Sequence, residues 1–195
     1  MERVRIFIAF SLPKQTLDAI EDLSKAFQKK FNYEYIRWIP TENIHLTMKF
    51  LGEQNKNKVD SITETIGAIA TKFSVINVKM TQMNIFPNIN RARGLWIEIL
   101  DYGDLKHLAE SIDSHLAING FTKSKRPFHP HITIARFRSK VKRSELGKLA
   151  QNIPSSIPVP VQSVVLKKLS IFESELHPSG AKHTVLSEYA LADDV

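Results

Sequence analysis

Two short stretches of the chain contain the same pattern of residues able to do chemistry. Residues 45–47 read His-Leu-Thr and residues 131–133 read His-Ile-Thr. In a β-strand, residues two apart point to the same face and lie about 6–7 Å apart. Each stretch, as a strand, would therefore present an imidazole and a hydroxyl on one face and bury its aliphatic residue on the other. Two such pairs could hold one small anion between them.

Paired imidazoles suit acid–base chemistry because histidine titrates closest to neutral pH. His45 and His131 could act together, one taking a proton from water and the other giving one to a leaving oxygen. The hydroxyls of Thr47 and Thr133, with Arg136 three residues further on, could hold the non-bridging oxygens of a phosphate. Neither motif contains a carboxylate, the usual protein ligand of a hydrated Mg²⁺. These residues predict cleavage of a phosphodiester without a metal or other cofactor.

Hydrophobic periodicity predicts the strands and helices that must position these residues. Strands are expected over residues 5–10, 43–51, 76–86, 94–100, 130–138, 161–172 and 184–191, with a brief extended piece over 35–40. Helices are expected over residues 13–31, within 59–69, over 105–116 and around 146–149. Asn119-Gly120 is expected to stop the third helix, and the fourth is expected to end before Pro154.

The order of these elements indicates an internal duplication. Strand, helix, His–Thr strand, helix and strand occur in that order twice, with one histidine motif in each half. We expect repeats over approximately residues 3–90 and 91–191, within a single domain spanning residues 1–195. Two repeats are too few for a solenoid, so two lobes related by a pseudo-two-fold axis are the natural arrangement. Such an axis would bring the two His–Thr strands together across one cleft.

The composition excludes several classes of protein. The chain has 195 residues, of which 43% are hydrophobic and 24% are charged, as in ordinary globular proteins. It contains no cysteine, which excludes a disulfide framework, a thiolate nucleophile and a cysteine-based zinc site. No apolar run approaches the roughly 18 residues of a membrane helix, and residues 1–10 predict a first strand rather than a signal peptide. A cytoplasmic protein without membrane contact is expected.

The positive charge of the chain is concentrated around the second motif. The formal net charge is +7. A basic band over residues 121–148 is rich in lysine and arginine and contains a single acidic residue, Glu145. Such a band attracts polyanions, although a solvated basic surface would look the same in sequence. Its position beside the motif favours a phosphate-bearing substrate. The band consists of Lys123, Lys125, Arg126, Arg136, Arg138, Lys140, Lys142, Arg143 and Lys148.

At these residues the sequence resembles the 2H phosphoesterases and, within them, the RNA 2′,3′-cyclic phosphodiesterases, also called 2′-5′ RNA ligases. The resemblance covers nearly the whole chain. One His-x-Thr motif is a weak signal, but two motifs at this separation and with these flanking residues are a strong one. The matching stretches beyond the two motifs are residues 5–9, 37–40, 49–53, 86–88, 130–136, 174–176 and 178–181.

The resemblance implies a bilobal α+β fold in which two antiparallel sheets line a central cleft, with helices on the outside. It implies hydrolysis of a terminal RNA 2′,3′-cyclic phosphate to a 2′-phosphate without a metal, and ligation of RNA ends in the reverse direction. His45 would be the acid that protonates O3′ and His131 the base that activates water. Thr47 and Thr133 would orient the phosphate, and Arg136 would contact the phosphate or the substrate. The expected partner is an RNA end, with tRNA fragments among the options, and an enclosed cleft favours a monomer.

Three alternatives stay open at the level of sequence. The chain could bind RNA through its basic band without catalysis, or it could act on a small cyclic nucleotide. His129 and His131 could instead hold a metal for a metal-dependent hydrolase. Trp38 and Trp96 are expected in the core rather than as stacking platforms. Phe50 and Phe137 could border a base site, and His183 occupies a place where the family often has tyrosine.

Overall fold

The computed structural model describes residues 2–30, 33–138, 141–156, 159, 163–177 and 180–193. Nine strands and four α-helices lie within these residues. The strands are β1 (Arg3–Ser11), β2 (Ile36–Trp38), β3 (His45–Asn55), β4 (Ile76–Phe86), β5 (Gly94–Leu100), β6 (His131–Phe137), β7 (Ser163–Leu166), β8 (Lys168–His177) and β9 (Gly180–Ala190). The helices are α1 (Lys14–Lys30), α2 (Val59–Ala70), α3 (Asp104–Ile118) and α4 (Arg143–Ser156).

The strands form one antiparallel sheet with two lobes. Its order is β7-β4-β5-β6-β3-β1-β8-β9, and β2 also pairs with β6. The two lobes, β7-β4-β5-β6 and β3-β1-β8-β9, meet where β3 pairs with β6 at the single position Leu46↔Ile132. The expected α+β fold with antiparallel strands is confirmed, and the two expected sheets are the two lobes of this sheet.

The three strands on each side of the boundary between β6 and β3 follow one order, whereas the outermost strands, β7 and β9, both belong to the second half of the chain. In each lobe a His–Thr strand lies at the boundary, beside the strand that opens the same half of the chain. The third strand of each lobe comes from the other half of the chain. Strand β4 of the first half lies beside β5, and strand β8 of the second half lies beside β1. A pseudo-two-fold axis between two repeats would produce this connectivity. We therefore propose that residues 3–90 and 91–191 are the repeats of one bilobal domain.

The helices bury one apolar face each, as their periodicity predicts. In α1 the buried face contains Ile20, Leu23 and Phe27, and the last turn ends in lysines, which suit the negative end of the helix dipole. In α3 the carboxylate of Asp101 accepts hydrogen bonds from the backbone N–H groups of Leu105 and Lys106. These helices pack against the sheet in one continuous core. No helix in the described part of the chain is long and apolar enough to cross a membrane.

The structure corrects the prediction in the last quarter of the chain. The strand expected over 161–172 is two strands, because β7 ends at Leu166 and β8 runs from Lys168 to His177. At the break, the carbonyl of Lys167 accepts a hydrogen bond from the N–H of Leu191 instead of continuing one ladder. The strand expected from residue 184 begins at Gly180, so β8 and β9 form a longer hairpin than predicted. Residues 161, 162, 178 and 179 lie outside the described residues.

Two further boundaries differ from the prediction. Helix α4 continues past Pro154 and ends at Ser156; a proline so near the end of a helix removes only one N–H donor from the last turns. Residues Thr41–Asn43 form a 3-10 turn, so β3 begins at His45 rather than at residue 43 and runs on to Asn55. The predicted end of the first helix at residue 31 lies outside the described residues.

Candidate active site

The two His–Thr motifs lie on strands, as predicted. In β3, Leu46 is fully buried in the core, while His45 and Thr47 on either side of it are partly exposed. In β6, Ile132 is buried in the same way between His131 and Thr133. The alternation of a strand therefore places each imidazole and its hydroxyl on the face opposite the core.

The pairing of Leu46 with Ile132 brings the two motifs together. In an antiparallel pair, the residue before one partner faces the residue after the other. Extending this register by one position sets His45 across from Thr133, and Thr47 across from His131. The two histidines are then diagonal neighbours, typically about 7–8 Å apart across a ladder. On this register we expect all four side chains to face one place in the cleft, and the charge of His131 is among the causes that lower the pKa of His45.

A β-bulge explains the position of Arg136. Thr133 pairs with Trp96 but Ala135 pairs with Leu95, so Ile134 is an extra residue in β6. An extra residue shifts the alternation of the strand by one, which returns Arg136 to the face of Thr133. Gly94 permits the close approach of β5 here, because a Cβ atom on it would lie 2.1 Å from the carbonyl oxygen of Ala135.

Strand β3 has a matching irregularity. Ala9 pairs with Thr47 and Ile8 pairs with Lys49, so Met48 is the extra residue. The shift places Phe50 on the cleft face, where its side chain is 62% exposed and its ring centroid lies 5.8 Å from that of Phe7. Phe50 thus lies three residues after Thr47 on the cleft face, as Arg136 lies three residues after Thr133. The expectation that Phe50 borders a base site stays a prediction.

Both imidazole rings are oriented by the same backbone contact. The Nδ1 atom of His45 lies 2.7 Å from the carbonyl oxygen of Asn43, and the Nδ1 atom of His131 lies 2.8 Å from that of His129. A carbonyl oxygen only accepts, so each Nδ1 donates a hydrogen. A neutral ring with its hydrogen on Nδ1 has a free lone pair on Nε2. Each histidine can therefore accept or give a proton through Nε2.

Aromatic rings hold each histidine in place. The ring centroid of His45 lies 4.7 Å from that of Phe7 and 6.1 Å from that of Phe172. The ring centroid of His131 lies 4.6 Å from that of Trp96 and 5.6 Å from that of Phe86. Trp96 is buried, as expected of a core residue, but it also forms part of the wall of the site. The two sides of the cleft are thus built alike.

The surroundings of the histidines disfavour their protonation in the free protein. Burial lowers the pKa of His45 to about 4, with smaller contributions from the charges of His183, Arg136 and His131. Burial also lowers the pKa of His131, and the charges of His129 and Arg136 act in the same direction. The lowered pKa values favour the neutral form of both rings at neutral pH. A phosphate anion bound between them would favour the protonated form.

His183 lies beside His45, a contact that the sequence analysis did not predict. Its ring centroid lies 5.4 Å from that of His45 and 4.9 Å from that of Phe7, with edge-to-face geometry in both contacts. Its Nδ1 atom is buried and has no hydrogen-bond partner among the described residues. The resemblance implied only that histidine stands here where the family often has tyrosine. The contact itself depends on the hairpin register that pairs His183 with Ser174.

The remaining histidines do not join this cluster. His107 and His115 lie on α3, within the predicted third helix, and His177 is the last residue of β8. His129 packs on Trp96 with ring centroids 5.3 Å apart. Within the described residues, no three His, Cys, Asp or Glu side chains are grouped so that they could hold a metal ion. The structure therefore offers His129 and His131 no third ligand of this kind in its described part.

Comparison with known proteins agrees with the fold and the motifs. The family described as LigT-like phosphoesterase matches residues 10–96 and 102–183. An RNA 2′,3′-cyclic phosphodiesterase of Methanocaldococcus jannaschii is 29% identical over 186 residues, which are 95% of this chain and 100% of that protein. A protein of the same description from Aquifex aeolicus is 26% identical over 193 residues, 98% of this chain and 99% of that one.

A solved structure shows the same fold. The crystal structure of E. coli LigT in complex with 3′-AMP matches with a TM-score of 0.74 at 24% identity, over 98% of this chain and 100% of that chain. The resemblance to the 2H phosphoesterases expected from the paired motifs is thereby confirmed. With both halves of the chain matched, this protein belongs to the LigT-like phosphoesterase family.

Proposed function

We propose that the protein hydrolyses RNA 2′,3′-cyclic phosphate ends to 2′-phosphates, with His45 and His131 as the acid–base pair and without a metal. The observation that carries this proposal is the Leu46↔Ile132 pair, which joins the two His–Thr strands side by side. The relatives described as RNA 2′,3′-cyclic phosphodiesterases support the choice of substrate. Cytoplasmic location and a monomeric state stay predictions.

The proposed reaction is an in-line attack of water on the cyclic phosphorus. Nε2 of His131 takes a proton from the water as its oxygen bonds to phosphorus, and the bond from phosphorus to O3′ breaks. Nε2 of His45 gives a proton to O3′, which becomes a hydroxyl, and the phosphate stays on O2′. Each proton transfer contributes typically ~10²–10⁴ in rate. Attack by the 5′-hydroxyl of another RNA in place of water would instead give a 2′-5′ ligated product.

Thr47, Thr133 and Arg136 are proposed to hold the phosphate during this step. The hydroxyls can donate to non-bridging oxygens, and the guanidinium adds charge where negative charge accumulates. Arg136 is on the cleft face because of the bulge at Ile134, and its charge acts on both catalytic rings. These positions support a role at the phosphate for all three residues.

The roles of the two histidines are assigned from the family resemblance. One observation favours the opposite assignment, with His45 as the base and His131 as the acid. The pKa of His45 is lowered to about 4 in the free protein, mainly by burial, which suits a base better than an acid. In the proposed assignment His45 gains its proton when the phosphate anion enters, because an opposite charge raises the pKa of an imidazole.

The experiment that tests the proposal uses a short RNA ending in a 2′,3′-cyclic phosphate, incubated with the purified protein in excess chelator. We expect a product with a 2′-phosphate, identified against 2′- and 3′-phosphate standards. His45→Ala and His131→Ala should each lose about 10²-fold or more of the activity, with unchanged circular dichroism. His107→Ala, on the solvent side of α3, is the matched control and should keep full activity.

Other outcomes would select the alternatives. RNA binding without turnover would make the protein a binding module. Turnover of nucleoside cyclic phosphates but not of RNA would make it an enzyme of small cyclic nucleotides. Loss of activity in chelator, restored by a divalent ion, would replace the metal-free mechanism. Full activity of His45→Ala or His131→Ala would refute the proposed acid–base pair.

A further inference from the structure

Two arginines lie side by side at one end of the cleft. Arg37 of β2 pairs directly with Arg136 of β6. Directly paired residues in antiparallel strands point to the same face, with Cα atoms about 4.5–5.5 Å apart. Their neighbours Ile36 and Ala135 are buried in the core, while both arginines are exposed. The two guanidinium groups therefore leave the sheet together on the cleft face.

This pair is unfavourable for folding by itself, because like charges directly opposite one another destabilise a ladder. Arg5, by contrast, pairs with Glu53 across β1 and β3, which is the ordinary arrangement of opposite charges. Within the residues that the structure describes, neither Arg37 nor Arg136 forms an ion pair. An anion bound between the two arginines would offset the repulsion and could accept hydrogen bonds from both guanidinium groups.

Arg136 and Arg37 lie on different strands of the cleft. Arg136 follows Thr133 on the cleft face of β6, the strand that carries His131, whereas Arg37 lies one strand away on β2. Burial is the main cause that lowers the pKa of His45 and of His131, and the charge of Arg136 contributes to both. Burial also lowers the pKa of Arg136, with smaller contributions from the charges of Arg37 and Arg5. A cyclic phosphate between the histidines would engage Arg136 and leave Arg37 for a second anion.

We propose that Arg37 binds the phosphate on the 5′ oxygen of the nucleoside that carries the cyclic phosphate. This inference rests on the proposed function. An RNA end supplies the group as its last internucleotide phosphate, and a nucleotide supplies it as a 5′-monophosphate. A nucleoside 2′,3′-cyclic phosphate has no such group. Arg37 is thus the residue through which the site distinguishes an RNA end from that smaller substrate.

The test measures kcat/KM for three substrates. These are adenosine 2′,3′-cyclic phosphate, the same compound with a 5′-phosphate, and the dinucleotide ApA ending in a 2′,3′-cyclic phosphate. We expect the wild-type protein to prefer the two substrates with a second phosphate by about tenfold or more. Arg37→Gln should remove most of this preference, and Arg37→Lys should retain part of it, because a lysine still offers a point charge.

The control is Lys106→Gln, which makes the same change in net charge on an exposed part of α3 and should keep the preference. The preference should also weaken as salt concentration rises, because it is electrostatic. If the wild-type protein turns over all three substrates equally, or if Arg37→Gln slows all three by one factor, the inference is wrong. If Arg37→Gln affects only the dinucleotide, the contact is not to the 5′ phosphate and the inference is also wrong. No turnover of any of the three would refute the proposed function itself, and the inference with it.

Discussion

Leu46 of β3 pairs with Ile132 of β6, and both side chains are fully buried beneath the cleft. This is the position at which the ladders of the two lobes join. Extended by one position, this register sets each histidine across from the threonine of the other motif. The proposed catalytic group is therefore shared between the halves of the chain, and neither half contains a complete one.

Thr47 and Thr133 provide a direct test of this shared site. Replacement of either by valine keeps the shape of the side chain and removes the hydroxyl. We expect kcat/KM on an RNA cyclic phosphate to fall by about ten- to a hundredfold in each variant, since one hydrogen bond to a charged group contributes about 1.5–3 kcal/mol. Thr47→Ser and Thr133→Ser are the matched controls and should retain most of the activity. An unchanged rate in Thr47→Val and Thr133→Val would show that the hydroxyls do not hold the phosphate.

The assignment of acid and base can be decided with an activated leaving group. In 3′-deoxyadenosine 2′-(4-nitrophenyl phosphate), the departing nitrophenolate needs no proton. Removal of the general acid should therefore cost little with this substrate, whereas removal of the base should cost as much as before. We expect His45→Ala to lose far less activity on the nitrophenyl ester than on the cyclic phosphate, and His131→Ala to lose similar factors on both. The reverse result would exchange the two roles.

The lowered pKa of His45 predicts a loss of stability on acidification. The ordinary pKa of histidine is 6.5, and burial lowers that of His45 to about 4. Between these values the unfolded chain binds a proton that the folded protein does not, so the free energy of unfolding falls as pH falls. In total, His45 lowers the free energy of unfolding by about 3 kcal/mol. This loss is absent above pH 6.5 and complete below about pH 4.

Urea unfolding between pH 7 and pH 4 measures this effect. Burial is also the main cause that lowers the pKa values of His131 and His183. The slope of the free energy of unfolding against pH in the wild-type protein therefore includes all three rings and the carboxylates. His45→Gln should reduce the slope, because glutamine does not titrate. Equal slopes in the wild-type protein and in His45→Gln would contradict the lowered pKa.

The ion pair of Lys49 and Asp113 predicts an asymmetric response to mutation. The Lys49 side chain is 4% exposed and donates to Asp113, to the carbonyl of Thr122 and to Ser124 Oγ. Asp113 is 21% exposed and also accepts from the N–H and hydroxyl of Ser124. Asp113→Ala would leave a buried ammonium without its counter-charge, at a cost of about 3 kcal/mol. Lys49→Met would leave Asp113 with its Ser124 partners and should cost only about 1 kcal/mol.

The free energy of unfolding in urea compares these two variants. The result also concerns the site, because the pair ties β3 to α3 and to the segment that leads to the second motif. Lys106→Ala, an exposed residue of the same helix, should change stability by less than either variant. A larger loss in Lys49→Met than in Asp113→Ala would contradict the predicted asymmetry.

Features set by local backbone geometry could be predicted from the sequence. The alternation of a strand is sufficient to place His45 with Thr47 on one face and Leu46 on the other. The spacing of Ile20, Leu23 and Phe27 is likewise sufficient to predict the buried face of α1. Both predictions hold because a residue's neighbours along the chain determine them. The repetition of the motif added the expectation of a shared cleft.

Features that depend on pairing between distant strands were decided by the tertiary structure. The bulge at Ile134 is invisible in the sequence, since only the partner strand β5 reveals an extra residue, and it is this bulge that turns Arg136 into the cleft. The same is true of His183 beside His45, which depends on the hairpin of β8 and β9. Arg37 and Arg136 are far apart in sequence and became a pair only through the register of β2 and β6. A strand carries its own period of two in its sequence, but its partner and its register are properties of the whole fold.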